Sequence, residues 1–233
     1  MERPSVIDVR NRPAYSVGEA ASYLHMSPAT LQSWALGRTY PIADGEKIWP
    51  ALFEIADRDA RQLSFANLVE ANVLAALRRD HRIAMPKVRA ALDFVRERLS
   101  VNRPLLDQQF ETDGIDLFVE HYGNLINASR SGQHALEEMI RAALRRIERD
   151  NAGFPIRLFP IGPRASERSP YVAFDPKIAF GRPAIVGPGA PVEVVYDRFE
   201  AGDSTDDLAV DYGVERAAIE EAIRQAGHFR RAA

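Results

Sequence analysis

The chain has no cysteine among its 233 residues. It can therefore form no disulfide, hold no metal through thiolates and use no cysteine as a nucleophile. Its apolar runs are only a few residues long, far shorter than a membrane span, and the first ten residues lack the apolar stretch of a signal peptide. We therefore expect a cytoplasmic protein without a membrane segment.

Residue patterns that are typical of enzymes are also missing. The five histidines do not have the spacing of metal ligands. Gly187-Pro188-Gly189 lacks the helix and the residue pattern of a phosphate-binding loop. The sequence therefore predicts a protein that is not an enzyme and that uses neither a metal nor a cofactor.

The charge is unevenly distributed along the chain. Residues 1–104 carry 15 Lys and Arg against 12 Asp and Glu, a net charge of +3, whereas residues 166–233 carry 8 against 12, a net charge of −4. Because nucleic acid is a polyanion, the first segment is better suited to DNA and the last to a protein partner. The difference in net charge is small, so it indicates only which of the two ends is better suited to DNA.

The stretch Tyr15–Arg38, YSVGEAASYLHMSPATLQSWALGR, has the pattern of two short helices joined by a tight turn. Ser16 and Glu19 form a capping box at the start of the first helix. Ser27 caps the second helix, and Pro28 occupies its first position, where no backbone donor is lost. This arrangement is typical of a helix-turn-helix, whose second helix enters the DNA major groove, although small helical hairpins also occur in ordinary cores.

The second of these helices is predicted to bury Leu31, Trp34 and Ala35. Its opposite face then consists of small or polar side chains, which can approach base edges and phosphates without steric bulk. We predict that this face binds DNA through Ser27, Ala29, Thr30, Gln32 and Ser33.

YSVGEAASYLHMSPATLQSW resembles the start of the MerR-type winged helix-turn-helix, and SPATL matches that family's S-P-x-T-L motif at the second helix. The resemblance implies a two-stranded wing, for which Arg38–Trp49 is the candidate, and two further helices, for which Leu63–Arg79 and Met85–Leu99 are the candidates. The long dimerisation helix of that family is not evident, and its sensing cysteines are absent. Activation by a metal or a small molecule is therefore not implied.

The wing candidate contains Asp44-Gly45, which is a turn signal for a β-hairpin. Arg38 and Lys47 flank this turn, and the wings of such domains commonly place cations on DNA phosphates. We predict that both residues contact the DNA backbone, the alternative being that they are ordinary surface charges.

Residues 105–165 have a less distinct pattern. The alternation of Ile115, Leu117 and Val119 suggests a β-hairpin, and helical spacing predicts a helix from about Gln133 to Arg149. PIRLFP at residues 155–160 predicts a strand. We expect a small α+β unit that supplies the contact between two copies in a homodimer, because a palindromic operator requires two copies.

A polar linker, Gly162–Pro170, precedes a last segment with the pattern of a β-hairpin and three helices. This segment resembles a short domain of unknown function from proteins classed as antitoxins. The matching motifs are D-P-x-I-x-F-G-x-P at Asp175–Pro183, A-G-D-S at Ala201–Ser204 and A-x-D-Y at Ala209–Tyr212. With a MerR-like domain in front of it, the chain is similar to VapB-type antitoxins, whose toxins are PIN-domain ribonucleases.

The chain ends in a short basic tail, Gly227–Ala233. A PIN-domain ribonuclease, which the resemblance implies as the partner, holds acidic groups around a divalent metal. Arg230 and Arg231 could enter that site and pair with its carboxylates, while Phe229 anchors the tail beside it. The alternative is an ordinary basic helix end, which is common.

Together these patterns predict a mainly α chain of the α+β class. Its expected parts are a MerR-like winged helix-turn-helix over residues 1–104, an α+β unit over 105–165 and a trihelical antitoxin-type domain over 166–233. The predicted function is that of a type II antitoxin, which neutralises a PIN-domain ribonuclease toxin and represses its own operon at operator DNA. The alternative is a stand-alone MerR-like transcription regulator whose C-terminal half binds a ligand or a partner.

Overall fold

The computed structural model describes residues 8–42, 45–78, 85–126, 128–161 and 168–232. The predicted fold class is confirmed, because the chain is mixed α and β and mainly helical. Its contacts define two compact units, which we call the terminal unit (Met1–Leu68 and Ile156–Ala233) and the middle unit (Val69–Pro155). The functional division at residues 104 and 165 stays a prediction. Within the described ranges, no helix combines the length and the apolar character that a membrane crossing requires.

The first part of the terminal unit contains a helix-turn-helix and a β-hairpin. Its elements are β1 (Pro13–Ser16), α1 (Val17–Tyr23), α2 (Pro28–Leu36), β2 (Arg38–Ile42), β3 (Gly45–Trp49), β4 (Gln62–Ser64) and the start of α3 (Phe65–Arg78). β1 pairs antiparallel with β4, and β2 pairs antiparallel with β3. The predicted wing and the helix that follows it are therefore confirmed. The predicted turn at Asp44 lies outside the described residues.

Asn67, a buried side chain on α3, holds the segment after the wing in place. Its Oδ1 accepts hydrogen bonds from the backbone N–H groups of Ala56 and Ser64, both at 3.1 Å. Its Nδ2 donates to the carbonyl oxygen of Glu54 at 2.7 Å. Because a buried amide satisfied in this way is costly to remove, α3 is fixed to the connection that returns from the wing.

The middle unit is mainly helical. It contains the rest of α3, then α4 (Met85–Leu99), α5 (Ile115–Ile126), α6 (Arg130–Leu144) and the short strand β5 (Ile147–Arg149). α5 packs against both α4 and α6. The helix predicted at Met85–Leu99 is confirmed.

The β-hairpin predicted around Ile115, Leu117 and Val119 is wrong, because these residues lie on α5. Ile115, Phe118, Val119 and Tyr122 are buried, and their spacing of i, i+3, i+4 and i+7 is that of one helix face. Ile115, Leu117 and Val119 alternate as the residues of a strand do. Once Phe118 and Tyr122 are included, the apolar residues have helical spacing instead. The helix predicted from Gln133 to Arg149 is two elements, α6 and β5.

The second part of the terminal unit contains a sheet and three helices. Its elements are β6 (Pro155–Leu158), β7 (Val172–Phe174), β8 (Pro183–Ile185), α7 (Val192–Glu200), α8 (Thr205–Tyr212) and α9 (Arg216–Ala232). β7 pairs antiparallel with β6 on one side and with β8 on the other. The strand, hairpin and three helices predicted for these residues are confirmed. Most of the predicted linker, residues 162–167, lies outside the described residues.

Candidate nucleic-acid interface

The helix-turn-helix is built by two local capping arrangements. Ser16 Oγ accepts the backbone N–H of Glu19 at 3.1 Å, and the Glu19 carboxylate accepts the backbone N–H of Ser16 at 2.9 Å. At α2, Ser27 Oγ accepts the backbone N–H of Thr30 at 3.3 Å, and Pro28 is the first helical residue. Each cap satisfies donors that the first turn of a helix leaves without a partner. The predicted starts of both helices are confirmed.

Gly37 ends α2 and sets the direction of the wing. Its φ of +80° is one that residues with a side chain rarely adopt, and a Cβ there would lie 2.6 Å from the carbonyl oxygen of Trp49. β2 begins at the next residue, Arg38. The backbone N–H of Leu52 then donates to the carbonyl oxygen of Trp34 at 2.7 Å, which closes the end of the wing onto α2.

The two faces of α2 differ as the sequence predicted. Leu31, Trp34 and Ala35 are buried. The side chains predicted to bind DNA lie on the other face, where three are exposed and two are half-buried: Ser27, Ala29 and Gln32, then Thr30 and Ser33. Ser27 Oγ and Thr30 Oγ1 are 2.8 Å apart. This face therefore offers hydroxyl and amide groups and no large apolar side chain to an approaching groove.

The wing supplies a cation supported by an aromatic ring. The exposed Arg38 guanidinium lies 4.4 Å from the centre of the Tyr40 ring. Tyr40 is also the cross-strand partner of Lys47 in the β2–β3 register, although the Lys47 side chain itself lies outside the described part of the structure. A guanidinium that rests on a ring keeps its donors free for oxygen acceptors around its edge. Arg38 is therefore positioned to bond a phosphate.

The sequence did not single out two residues that organise this surface. One is Tyr40, which the period of two along a strand would have placed beside Arg38. The other is Arg58, whose guanidinium donates to the carbonyl oxygen of Leu36 at 3.1 Å and so binds the last turn of α2. No local pattern connects Arg58 with Leu36, since they are 22 residues apart.

The three C-terminal helices present a different surface. Arg198 pairs with Asp203 and Asp211, each at 2.6 Å, and these carboxylates raise its pKa above the ordinary arginine value. Arg216 pairs with Glu220 at 2.7 Å and with Asp206 at 3.2 Å. Both of these cations are therefore already bound to acidic groups. Such a surface is poorly suited to phosphate.

Phe229, predicted to anchor the tail on a toxin, lies in the core. Its side chain is only 3% exposed, and its ring centre lies 5.0 Å from that of Tyr23 and 6.1 Å from that of Phe174. Its carbonyl oxygen accepts a hydrogen bond from the Ser22 hydroxyl. Phe229 can therefore reach a partner only if the end of α9 leaves this position.

The predicted tail is helical, since α9 continues to Ala232. The signal for this was the spacing of buried Ala222, Ala226 and Phe229. Arg230 is exposed, forms an ion pair with Asp197 and lies 4.6 Å from the centre of the Tyr196 ring. Arg231 is exposed and donates to the carbonyl oxygen of Gly227 at 2.9 Å.

α9 also connects the C-terminal helices to the helix-turn-helix, because it packs against α1. The Tyr23 ring on α1 lies between Phe174 and Phe229, with centre distances of 5.0 Å to each. Burial raises the pKa of Tyr23 well above its ordinary value. The orientation of α1, and with it that of α2, therefore depends on residues near the end of the chain.

Comparisons with known proteins agree with this arrangement. A family profile described as "Putative DNA-binding HTH domain" matches residues 13–92, and a second profile, DUF433, described as a protein of unknown function, matches residues 172–226. The first covers β1 to the first half of α4, including α2 and the wing. The second covers β7, β8, α7, α8 and most of α9.

Two proteins of Mycobacterium tuberculosis are similar over nearly the whole chain. One, named "Putative antitoxin VapB45", is 31% identical over 91% of this chain and 92% of its own length. The other, the uncharacterized protein Rv2308, is 24% identical over 97% of this chain and 95% of its own length. The crystal structure of Rv2018 from the same organism shares the fold, with a TM-score of 0.65 and 22% identity over 91% of this chain and 97% of that one. The similarity to the protein named as an antitoxin and the match to the DNA-binding profile support an antitoxin and DNA-binding role.

Proposed function

Because the chain belongs to the family of the Mycobacterium tuberculosis protein named "Putative antitoxin VapB45", we propose that it is the antitoxin of a type II toxin-antitoxin pair. In this proposal a homodimer represses its own operon by binding operator DNA, and each copy neutralises a PIN-domain ribonuclease by direct contact. The observation that carries the proposal is the similarity to that antitoxin over 91% of the chain, which spans both the helix-turn-helix and the C-terminal helices.

DNA binding is assigned to the front of the terminal unit, used as in MerR-type regulators. α2 enters the major groove, where Gln32 and Thr30 bond base edges and Ala29 contacts apolar groups of the bases. Ser27 and Ser33 bond phosphates at the sides of the groove. Arg38 and Lys47 of the wing bond the phosphates of the neighbouring turn. The assignment rests on the polar face of α2 and on the exposed guanidinium of Arg38.

Toxin binding is assigned to the C-terminal helices, with Arg230 and Arg231 as the inhibitory cations. A PIN-domain ribonuclease offers carboxylates in its metal site, and a guanidinium pairs with a carboxylate through two parallel hydrogen bonds. Arg230 would exchange Asp197 for a toxin carboxylate, an exchange made easier because both side chains are exposed. In this proposal Phe229 contributes indirectly. Its buried ring packs on Tyr23 and holds the last turn of α9 in position.

The experiment is co-expression of the chain with the protein of the neighbouring reading frame. We expect the two proteins to copurify, the chain to restore growth when the neighbour is toxic, and the chain to bind the DNA upstream of its own frame. Replacing both Arg230 and Arg231 by alanine should abolish the growth rescue. Arg216→Ala, an exposed arginine on the same helix, is the matched control and should rescue fully.

Two outcomes would contradict the proposal. Full rescue by the double variant would remove Arg230 and Arg231 from toxin inhibition. A neighbour that neither binds nor is toxic, together with a dimer that responds to a small molecule, would instead favour the stand-alone transcription regulator.

A further inference from the structure

The terminal unit contains an open groove that the proposed DNA and toxin contacts do not use. Its volume is about 590 Å³, which is within the range of protein clefts that bind ligands or side chains. Its lining is mainly apolar, and the residues that matter here are Tyr15, Phe65, Phe180, Pro183 and Val194. An apolar groove next to an almost fully exposed aromatic ring is uncommon on a monomer, because removing either apolar surface from water is favourable.

The exposed ring is that of Phe180, which is 93% exposed at the edge of the groove. Ala179 and Phe180 have φ values of +49° and +56°, a region that residues other than glycine rarely adopt. Strained backbone of this kind persists only where the surrounding structure fixes it, and it is concentrated at functional sites. The ring is therefore held out from the surface by the fold.

Tyr15 is the residue that fixes this turn. Its hydroxyl donates to the carbonyl oxygen of Gly181 at 2.6 Å, and burial raises its pKa well above the ordinary tyrosine value, so the donor stays protonated. Gly181 has a φ of +83°, and a Cβ there would lie 2.5 Å from the Tyr15 hydroxyl oxygen. Only glycine fits at this position. The projecting ring and the groove are thus parts of one preorganised surface.

The charges along the groove have both signs. Arg12, Arg182 and Glu193 all line it, and Arg182 lies 3.4 Å from Glu19 and 3.8 Å from Glu193 across exposed ion pairs. A purely acidic or a purely basic partner would find like charges here. A second copy of the same surface also carries both signs, so arginines of each copy can pair with glutamates of the other.

We propose that this groove is the contact between two copies of the chain, with Phe180 of each copy inserted into the groove of the other. A projection and a cavity that lie side by side on one face are self-complementary about a two-fold axis between them. This inference deepens the proposed function, which requires a homodimer, and it places the dimer contact in the terminal unit rather than in residues 105–165. The two DNA-binding surfaces of the dimer would then be held by a part of the fold attached directly to β1.

The first test measures the dimer dissociation constant of the full chain by sedimentation equilibrium. We expect wild-type dimers and a large loss of affinity for Phe180→Asn, because asparagine tolerates the left-handed backbone but removes the ring. Loss of an aromatic anchor typically weakens binding by about 30-fold, and a symmetric dimer contains the anchor twice. The matched control is Val210→Ser, since Val210 is 81% exposed on α8 and does not line the groove. It should dimerise as wild type does.

The second test uses the absence of cysteine from the chain. Chains carrying only Phe180→Cys are mixed with chains carrying only Val194→Cys and are then oxidised. We expect a disulfide between the two kinds of chain at high protein concentration. The Val194→Cys chain still inserts its own Phe180, and position 180 of the other chain would then lie against its groove wall. Chains carrying Val210→Cys replace the Val194 variant as the control and should give no more cross-linked product than random collision does.

Two results would overturn the inference while leaving the antitoxin proposal in place. They are a Phe180→Asn chain that dimerises normally and a Phe180→Asn chain that loses the toxin but keeps the dimer. A wild-type chain that is monomeric would overturn the inference together with the dimeric repressor, and would leave only toxin neutralisation in place. The antitoxin proposal fails separately, if the neighbouring protein is neither bound nor neutralised by a chain whose dimer does depend on Phe180.

Discussion

The terminal unit contains two helical arrangements, the helix-turn-helix at the front and the three C-terminal helices at the rear, whose exposed surfaces differ in charge. In the front one, α2 exposes neutral polar side chains and the wing adds the Arg38 guanidinium. In the rear one, formed by α7, α8 and α9, the half-buried Arg198 and the exposed Arg216 are already paired with carboxylates. The side chains that each arrangement exposes therefore decide which of the two surfaces suits phosphate.

The two arrangements also differ in what covers their last helix. α2 packs against α1 and leaves its polar face exposed. α9 packs against α7, α8 and the sheet, which belong to the rear part of the unit. It also packs against α1, which belongs to the front part. The last helix of the rear arrangement is thus the one against which the front arrangement packs. The rear arrangement therefore supports the front one.

The largest expected effect comes from removing the ring that connects the two arrangements. We expect Phe229→Ala to lower the free energy of unfolding by about 3–5 kcal/mol, because the buried ring packs on Tyr23 and leaves a cavity. Both tryptophans of the chain, Trp34 and Trp49, lie in the front arrangement, so their fluorescence during urea unfolding reports on the front alone. Phe229 belongs to the rear arrangement. If its substitution shifts the fluorescence transition of the front, the front and rear arrangements unfold together.

Val210→Ala is the control for this measurement. Its side chain is 81% exposed, so its effect should stay within about 0.5 kcal/mol. A fluorescence transition that Phe229→Ala leaves in place would contradict the account, since the front would then be stable without the rear.

A smaller effect is expected from the hydrogen bond between Tyr15 and the turn at Gly181. Tyr15→Phe should cost about 1–3 kcal/mol, because the carbonyl oxygen of Gly181 would be left buried without its donor. The same urea measurement checks it. An unchanged free energy of unfolding would mean that water replaces the hydroxyl.

The same residue makes stability depend on alkaline pH. Burial raises the pKa of Tyr15 in the folded state, whereas a tyrosine of the unfolded chain ionises near pH 10. The stabilisation is therefore complete below about pH 10 and is lost as the pH rises, since only the unfolded chain releases the proton. Tyr23 shifts in the same direction. The decline should be shallower in Tyr15→Phe, and an equal decline in both proteins would rule out Tyr15 as its source.

The sequence predicted the parts of this fold that local chemistry determines. The capping box of Ser16 and Glu19 and the serine cap at Ser27 place the starts of α1 and α2. Each cap involves residues three apart, so the signal lies within one helical turn. The polar face of α2 followed from the spacing of Leu31, Trp34 and Ala35.

Contacts between distant parts of the chain could not be predicted in this way. Ser22 and Phe229 are 207 residues apart, and Tyr15 and Gly181 are 166 apart. The residue pattern within one segment does not indicate which distant residue that segment contacts. The burial of Phe229, which removed it from the surface, and the exposure of Phe180 both depend on such contacts. They became visible only in the structure.

Base recognition is expected to depend on α2 and not on α9. Gln32→Ala should reduce the discrimination between the operator and a single-base variant by about 1–3 kcal/mol, because a glutamine amide can form two hydrogen bonds with an adenine. Competition binding with operator variants measures this. Glu220→Ala, an exposed position on α9, is the control and should leave discrimination unchanged.

The most direct test of the division between front and rear is the salt dependence of operator binding by the whole chain. A fragment that ends near Pro104 would lack α9 and its contact with α1, so single substitutions are preferable. The logarithm of the affinity falls with the logarithm of the salt concentration by about 0.9 for each phosphate neutralised. We predict that Arg38→Ala reduces this slope by about one, while Arg216→Ala leaves it unchanged. A slope that flattens with Arg216→Ala and stays the same with Arg38→Ala would contradict the account.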